Sequence, residues 1–590
     1  MSGRDRDYAF IRRHCAATSR RLFDDFDRKR RAILTEVARE FYPVGVAGLV
    51  RQAEDVADET PYDEEHRLLT TKPMDCLRKG AAGFHGNLTS PARRWFRIRM
   101  PSFNGVVGGG TEDIATRRTL DRLTEAVEWA FQRGGVYPAL FKLYEHVLCF
   151  GFGCMVVSRD LDRIAKAVTL RVGTYAMGVG EDGQVCRVAR RFSWTAEQIL
   201  REFGEAGASE AVREAARRGD DRRRFTVVNL IEPNGTGFMR AYDRVSRELG
   251  LDDDMVYRSV YFLERGRDDD PQAGVLSISG FTVKPIVAPR LDYEPGDTYG
   301  RGRGMDGLDL ARGAQSMEYD IHYISGIKGR QPLIVSSEFK DEGFRAGRGD
   351  INYARFGEQR AALAMPVYAA LPDSTEIRID RQDIEGEIAD LFFNTAFATI
   401  DALKNNTGVK TATEVDALVR ENMERLNPVV TNFDRELLDP LVSVMTKYTL
   451  QANVVPLTSG DLETLDGAAV EYVSQIHLAA RQSQISGLTA WLQHCGVVAQ
   501  MKPDVLDRVD ADGVAAAYAE MLGVPGDCMA DDREVEETRA ARAEAQRTAQ
   551  AAQLAQVRSQ SLANAAKAGE MPTDDAHAGG LLMRGLGAGQ

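Results

Sequence analysis

Apolar positions in the first forty residues recur at helical spacing. Phe10, Phe23, Phe26, Ile33, Val37 and Phe41 lie among Arg and Asp, so residues 5–42 predict one long amphipathic helix that Pro43 closes. Residues 74–89 and 112–151 predict further helices, after which "GFGCMVVS" turns the chain into a strand. In "RVGTYAMGVGEDGQVCRVARRFSWT" two strand patterns flank Asp182-Gly183, a strong hairpin signal. "TAEQILREFG" has a threonine cap (Thr195), an acidic first turn and a closing glycine, and predicts a short helix. Strands near 225–232 and 256–264 complete a mixed α+β body over the first 300 residues.

Beyond it the pattern becomes regularly helical. Leu310, Ala314, Met317, Ile321 and Ile324 step by four and three and share one seam, with Glu318 and Asp320 off it. A second helix is predicted over 382–404, where Ile384, Ile388, Leu391, Thr395, Thr399 and Leu403 form one stripe. It would be about 35 Å long, and Asp383, Glu385 and Glu387 at its start and Lys404 at its end suit the helix dipole. Between the two lies an insert, 327–381, with strand-like pieces "PLIVSS", "MPVYAA" and "EIRID". After the second helix comes the polar loop "NNTGVKTATE", in which Gly408 suits a left-handed helix stop. Thr411 and Glu414 then have capping-box spacing. They open a helix striped by Val415, Leu418, Asn422, Leu426, Val430, Phe433, Leu437 and Leu441, which Pro428 and Pro440 should kink. Residues 456–525 predict a small helical domain, and the Ala-, Arg- and Gln-rich run after it predicts a lone or partner-dependent helix ending in a mobile glycine-rich tail.

At 590 residues the chain exceeds what a single core supports and should hold several substructures. It is 43% hydrophobic and 28% charged, with a net charge of -13, so any contact with DNA must be local or weak. Seven cysteines without a CxxC pair suggest neither a disulfide framework nor a zinc ribbon, and fit a reducing compartment. "MSGRDRDYAFIRRHC" has charges where an export signal would be apolar. The most apolar run, "ALFKLYEHVLCFGFGCMVV", is broken by Lys142, Glu145 and His146, short of the roughly twenty clean residues that a membrane span requires. A soluble protein is expected.

One motif invites a nucleotide. In "DTYGRGRGMDGLDLARGAQ", Gly302, Gly304 and Gly307 have the spacing of dinucleotide-binding loops. Such glycines hold pyrophosphate only between a buried strand and a helix N-terminus. Here Pro285, Pro289 and Pro295 interrupt the upstream strand and no acidic partner follows, which favours a plain turn launching a helix. No Walker, HExxH, EF-hand or GxSxG motif occurs. The acidic triplets Asp252 to Asp254 and Asp268 to Asp270 read as solvated loop tips before cation sites, His494-Cys495 as incidental, and Trp95-Phe96 as a core anchor before a base-stacking pair. Lys404 and Lys410 flank the polar loop and either touch a phosphate backbone or simply solubilise it. No catalytic, metal-binding or cofactor-binding residue is assigned.

Four collinear stretches carry a resemblance: "LTSPARRWFRIRM", "EDGQVCRVARRFSWTAEQILREFG", "GFTVKPIVAPRLDYEPGDTYGRGRGMDGLDLARGAQSME" and "TATEVDALVRENMERLNPVVTNFDRELLDPLV". Together they resemble the head-to-tail connector, or portal, proteins of short-tailed double-stranded DNA phages. The resemblance implies an α+β portal fold assembled as a ring, twelve-membered in similar proteins. Residues 1–303 would be the wing, 304–326 and 382–404 the stem helices, 327–381 a β-containing clip, and 405–412 a tunnel loop. A kinked wing helix would follow at 413–455, a crown at 456–530, and a barrel-like helix with a flexible tail at 531–590. Gly302, Gly304 and Gly307 then become hinge and packing glycines, and Lys404, Asn405, Asn406, Thr407, Gly408 and Lys410 face the channel. Leu310, Met317, Ile321, Ile324, Ile384, Ile388, Leu391 and Leu403 pack the stem. Implied partners are further copies of the chain, duplex DNA passing without sequence specificity, the terminase large subunit, tail adaptors, and capsid and scaffolding proteins, but no membrane and no cofactor. The protein would be made in the host cytoplasm and sit at the portal vertex of the virion, serving packaging, retention and ejection of the genome. A tail adaptor, an internal scaffold, or an enzyme using the glycine loop are the other readings.

Overall fold

The strand and hairpin chemistry of the first half builds the sheets of the body. The computed structural model describes residues 7–50, 68–99, 114–220, 222–235, 243–252, 254–265, 274–329, 333–335, 364–366, 373–398, 425–454, 469–502, 504, 509–522 and 532–569. The chain divides into two compact units, Met1–Pro101 with Thr119–Met521, and Ser102–Arg118 with Leu522–Gln590.

The first unit opens with α1 (Tyr8–Phe26) and α2 (Ala32–Phe41), joined by a π-helical turn at Asp27–Arg31, so the predicted long helix is continuous in direction but wider-wound in its middle. A short helix, α3 (Val46–Val50), and α4 (Lys72–Leu88) follow, then strand β1 (Phe96–Arg99) and helices α5 (Ile114–Arg133) and α6 (Val136–Phe150). Gly135, at φ +66°, separates the last two, and Gly151, at φ +85°, ends α6.

Strands β2 (Met155–Asp160), β3 (Ile164–Thr169) and β9 (Ile286–Val287) form an antiparallel sheet in the order β3-β2-β9. Strands β4 (Tyr175–Val179), β5 (Val185–Thr195), β6 (Arg224–Pro233), β7 (Tyr257–Leu263) and β8 (Val275–Phe281) form a five-stranded meander in sequence order. Its first turn is the anticipated hairpin, with Gly183 at φ +72°. Helix α7 (Ala196–Gly207) starts with a full capping box between Thr195 and Gln198 and breaks at Gly204, φ +74°. Strands β3 and β8 are not among the sequence-based expectations: "IAKAVT" mixes small and polar residues with few large apolar ones, whereas "VLSISGF" carries four and is legible as a strand.

Helices α8 (Glu210–Arg217) and α9 (Arg244–Leu249) decorate the meander. After a one-turn helix α10 (Arg303–Asp306), the long α11 (Leu308–Gly329) and α12 (Thr375–Leu391) follow, separated in sequence by β10 (Leu333–Val335) and β11 (Ala364–Pro366), which pair antiparallel. Residues 425–433 are helical and run through a π turn, Asp434–Leu438, into α13 (Asp439–Gln451). Strand β12 (Ala469–Tyr472) returns to pair with β1, and α14 (Gln475–Met501) and α15 (Ala511–Leu522) complete the unit. In the second unit α16 spans Asp532–Gly569, and its described side chains are almost all exposed.

Within the first unit most of these helices and strands share one large core, and a smaller cluster lies under α7 and α8. Phe84 on α4 is the aromatic hub of the large core, with ring centres 6.1 Å from Tyr144, 5.7 Å from Phe393, 4.9 Å from Phe397 and 5.3 Å from Phe433. Trp95 and Phe96 are buried beside Phe131, and the Trp95 indole donates to the Tyr137 hydroxyl at 3.3 Å, a core anchor.

Candidate functional site

The glycine turn lies at the foot of the two long helices, and its chemistry follows from how closely it packs. Gly302 and Gly304 are buried against the end of α6. A Cβ on Gly302 would stand 2.3 Å from the Gly151 nitrogen and 2.5 Å from the Cys149 carbonyl oxygen. One on Gly304 would meet that same oxygen at 2.5 Å, and one on Gly151 would meet the Gly302 nitrogen at 2.4 Å. Glycines therefore face glycine across a backbone-to-backbone contact. The Leu291 N–H donates to the Gly151 carbonyl (2.8 Å) and the Arg301 N–H to the Asp292 carbonyl (2.6 Å). Arg303 reaches Asp292 at 3.1 Å. Tyr299, just before the turn, is wedged between Phe26 and Phe152, and its hydroxyl accepts the Met177 N–H at 2.9 Å; burial pushes its pKa up and keeps it neutral.

This geometry removes the nucleotide reading. Between β9 and the turn there are only isolated bridges, so no strand runs into it, and the space a pyrophosphate would need is filled by α6. The helix that follows the turn, α10, is a single turn of four residues.

Above the turn, α11 and α12 pack antiparallel. Contacts descend along one as they climb the other: Gly307 meets Leu391, Gly313 meets Ile384, Arg381 pairs with Glu318, and Lys328 lies 3.7 Å from Asp373. Arg381 also approaches Glu385 at 3.6 Å, and His322 approaches Glu318 at 3.3 Å. Ala314, Ile321 and Ile388 are buried within the single chain, Leu310 and Ile384 pack on the core, and Met317, Ile324 and Leu391 are half-buried. Much of the seam is therefore closed by the chain itself.

The sequence-based helix 382–404 differs from what forms. Helix α12 begins at Thr375, inside the expected insert, and ends at Leu391; Phe393 takes φ +61° before a short helical stretch at 394–398. The break is bought by burial, because "FFNTAF" turns Phe392, Phe393 and Phe397 into the hub around Phe84 and Phe41. The Asn394 amide donates to the Cys76 carbonyl at 3.1 Å, and the Phe397 ring fills the space beside Gly83. Leu403, Lys404, Asn405, Asn406, Thr407, Gly408 and Lys410 lie outside the described residues, as do Asp268 to Asp270.

Two exposed stripes remain on the hairpin. On α12, Glu376, Asp380, Asp383, Glu387 and Asp390 follow one another at steps of four and three, and all are exposed. On α11, Tyr319 (60% exposed) and Tyr323 (57%) stack with ring centres 6.4 Å apart.

At the base sits a buried ion pair that sequence reasoning missed. Arg290 is 1% exposed and forks onto Glu436: the backbone N–H reaches Oε2 at 2.9 Å, Nε reaches Oε2 at 3.2 Å, and a terminal nitrogen binds Oε1. Its other donors reach the carbonyls of Asp297 (2.7 Å) and Gly183 (2.8 Å), and its guanidinium lies 3.7 Å above the Tyr293 ring centre. One side chain thus ties the meander hairpin, the approach to the glycine turn and the long helix together. Glu436 lies in the π turn directly before Pro440, where proline removes a helical donor and lets the backbone widen. Pro428 lies in the helical stretch ahead of that turn. The first residue of the π turn, Asp434, holds α14: the His477 ring meets it at 3.0 Å and the capping Ser474 at 2.7 Å. Among the described residues, no group of His, Cys, Asp or Glu could hold a metal ion, and no helix is long and apolar enough to cross a membrane.

Comparison with known proteins places this architecture. The probable portal protein of Bordetella phage BPP-1 is 29% identical over 529 residues, covering 89% of this chain and 90% of the relative. The portal protein of Salmonella phage epsilon15 is 26% identical over 513 residues, covering 86% and 88%. The model of the bacteriophage head to tail connecting protein family matches residues 22–529, and the chain belongs to that family.

Proposed function

We propose that the chain forms a ring-shaped DNA conduit at one capsid vertex, through which a separate ATP-driven terminase packages the genome and from which the genome leaves through the tail. Connecting head to tail is the family's role, and two of its similar proteins are phage portal proteins by name. The observation that carries the conduit reading is the α11–α12 hairpin, rooted in the core at its base and bearing an unbroken acidic stripe outside. Five carboxylates from Glu376 to Asp390 extend about 21 Å along the helix axis. Facing a central hole, they would repel duplex phosphates within roughly a Debye length, about 8–10 Å, so DNA slides past without sticking. Lys404 and Lys410, on the loop that follows, supply the weak compensating contacts.

The stacked Tyr319 and Tyr323 are the surface left for a neighbouring copy, since the aliphatic seam is largely closed within the chain. A heterologous contact repeated at a fixed rotation closes a ring. Clip contacts to terminase and tail adaptors, and docking to capsid and scaffolding proteins, belong to the same proposal.

The test is electron microscopy of the purified full chain, alone and with scaffolding protein, joined to DNA binding by the particles. Rings with a hole wide enough for duplex are expected. Changing Glu376, Asp380, Asp383, Glu387 and Asp390 to their amides should leave the rings intact and tighten low-salt DNA binding at least ten-fold. Unchanged binding would remove the stripe from the channel, and persistent monomers would remove the conduit. Lys404→Glu with Lys410→Glu should assemble normally and fail in DNA retention; normal packaging would sink the loop's role.

A further inference from the structure

Ahead of Tyr175, where β4 begins, the edge of β5 is left open. A half-open cavity of about 230 Å³ lies there between the β3–β4 connection and β5, lined by Leu170, Arg171, Thr174, Arg190, Arg191 and Ser193 among others. Its polar groups are unbalanced. Arg190 stacks 4.5 Å from the centre of the Phe192 ring, and among the described residues neither it nor Arg171 pairs with a carboxylate. Burial pushes the pKa of Arg190 down, and the nearby Tyr261 and Cys154 offset it only in part. Arg191 is neutralised by Glu264 at 2.9 Å and stacks on Phe23, yet its Nε is buried without a partner. Ser193 is 7% exposed, and its hydroxyl also has no hydrogen-bond partner.

The backbone adds a donor. The Arg191 N–H points towards β4 and reaches the Thr174 carbonyl at 2.8 Å. Donors alternate along an antiparallel strand, so the Ser193 N–H points to the same side, beyond the first residue of β4. Half-buried guanidiniums without a carboxylate, beside a buried hydroxyl without a partner, favour an anion that joins them. The cavity lies below the size range of drug-like ligand sites, about 300–1,000 Å³, which rules for a compact anion over a nucleotide.

We propose that Arg171, Arg190 and Ser193 form a binding site for a free oxyanion of phosphate or sulfate type, on a chain whose net charge is -13. The two guanidiniums supply charge-assisted donors, and the Ser193 hydroxyl and N–H supply neutral ones. The site does not depend on the conduit reading, since every group in it comes from one chain.

The experiment is titration of the full-length protein with inorganic phosphate against chloride at matched ionic strength, read by calorimetry and by the melting temperature. Saturable binding in the millimolar range or tighter is expected, with a melting temperature that rises with phosphate. Arg171→Gln should weaken it at least ten-fold and Ser193→Ala several-fold, with circular dichroism unchanged in both. Arg171 is partly exposed and Ser193→Ala removes one oxygen, so both variants should fold even if Arg190→Gln does not. Absence of a phosphate effect beyond that of chloride, or equal phosphate responses in the wild type and Arg171→Gln, would overturn the proposal.

Discussion

Replacing Gly302 by alanine tests whether the glycine turn is a packing device. At φ -95° and ψ 156°, Gly302 has a backbone that any residue adopts, so alanine brings no conformational strain there. What it brings is a methyl group 2.3 Å from the Gly151 nitrogen, 2.5 Å from the Cys149 carbonyl oxygen and 2.6 Å from the Phe150 carbonyl carbon. All three are backbone atoms at the end of α6, which cannot rotate aside as a side chain would. Overpacking of this kind costs about 3 kcal/mol, the upper part of its usual range. In a unit this large that is a fall in melting temperature on the order of 5 °C. Gly313→Ala is the matched control: its Cβ would sit 3.7 Å from Ile384, an ordinary contact, inside α11. There alanine should stabilise by up to about 1 kcal/mol through helix propensity. The assay is thermal melting of both variants beside wild type at one concentration. A Gly302→Ala protein that melts within a degree of wild type, or both variants shifting the same way, would refute the packing account.

Three further outcomes follow from buried and exposed groups. Glu436→Gln leaves the Arg290 guanidinium buried without its carboxylate, which should cost about 3–5 kcal/mol; the check is melting of the variant, and a change below about 1 kcal/mol would deny the pair its role. Tyr319→Ala with Tyr323→Ala should leave the melting of the monomer unchanged while lowering the yield of rings at least ten-fold by size-exclusion chromatography; normal rings would move the neighbour contact elsewhere. Burial, aided by Lys142 and Arg171, lowers the pKa of His146 to about 3 from an ordinary 6.5. Below pH 6.5 the unfolded chain therefore takes up a proton that the native chain refuses, and stability is complete above that pH and lost as pH falls towards 3, at about 1.4 kcal/mol per unit. His146→Gln should flatten the fall in melting temperature between pH 7 and pH 5, and parallel profiles would contradict this.

The parts of the fold legible in the sequence are those whose signal is local. Asp182-Gly183 sets a hairpin because a two-residue turn needs a positive φ, and Gly183 supplies it. Thr195 and Gln198 cap α7 within four residues of each other. The seam from Leu310 to Ile324 shows one helix face, and Pro285, Pro289 and Pro295 already argue against a strand before the glycines. Periodicity identifies an apolar face but not its partner, and only the structure shows that α12 of the same chain closes much of that seam.

What stayed hidden depends on residues far apart in sequence. "DLFFNTAF" has unbroken helical periodicity, and nothing local announces that Phe393 turns to a positive φ; the cause is the pull of Phe84, more than 300 residues earlier, on Phe393 and Phe397. Glu436 reads as one more solvated acid until Arg290 is brought over it from across the body. The cavity arginines are harder still, since "RVGT" reads as an ordinary approach to a strand and "ARRFS" as strand interior, and the edge they share is uncovered only because β4 begins opposite Arg190. The same limit explains why the glycine fingerprint misleads. A GxGxxG spacing records that backbones must come close, and whether the other party is a pyrophosphate or the end of another helix is decided by Gly151, some 150 residues upstream.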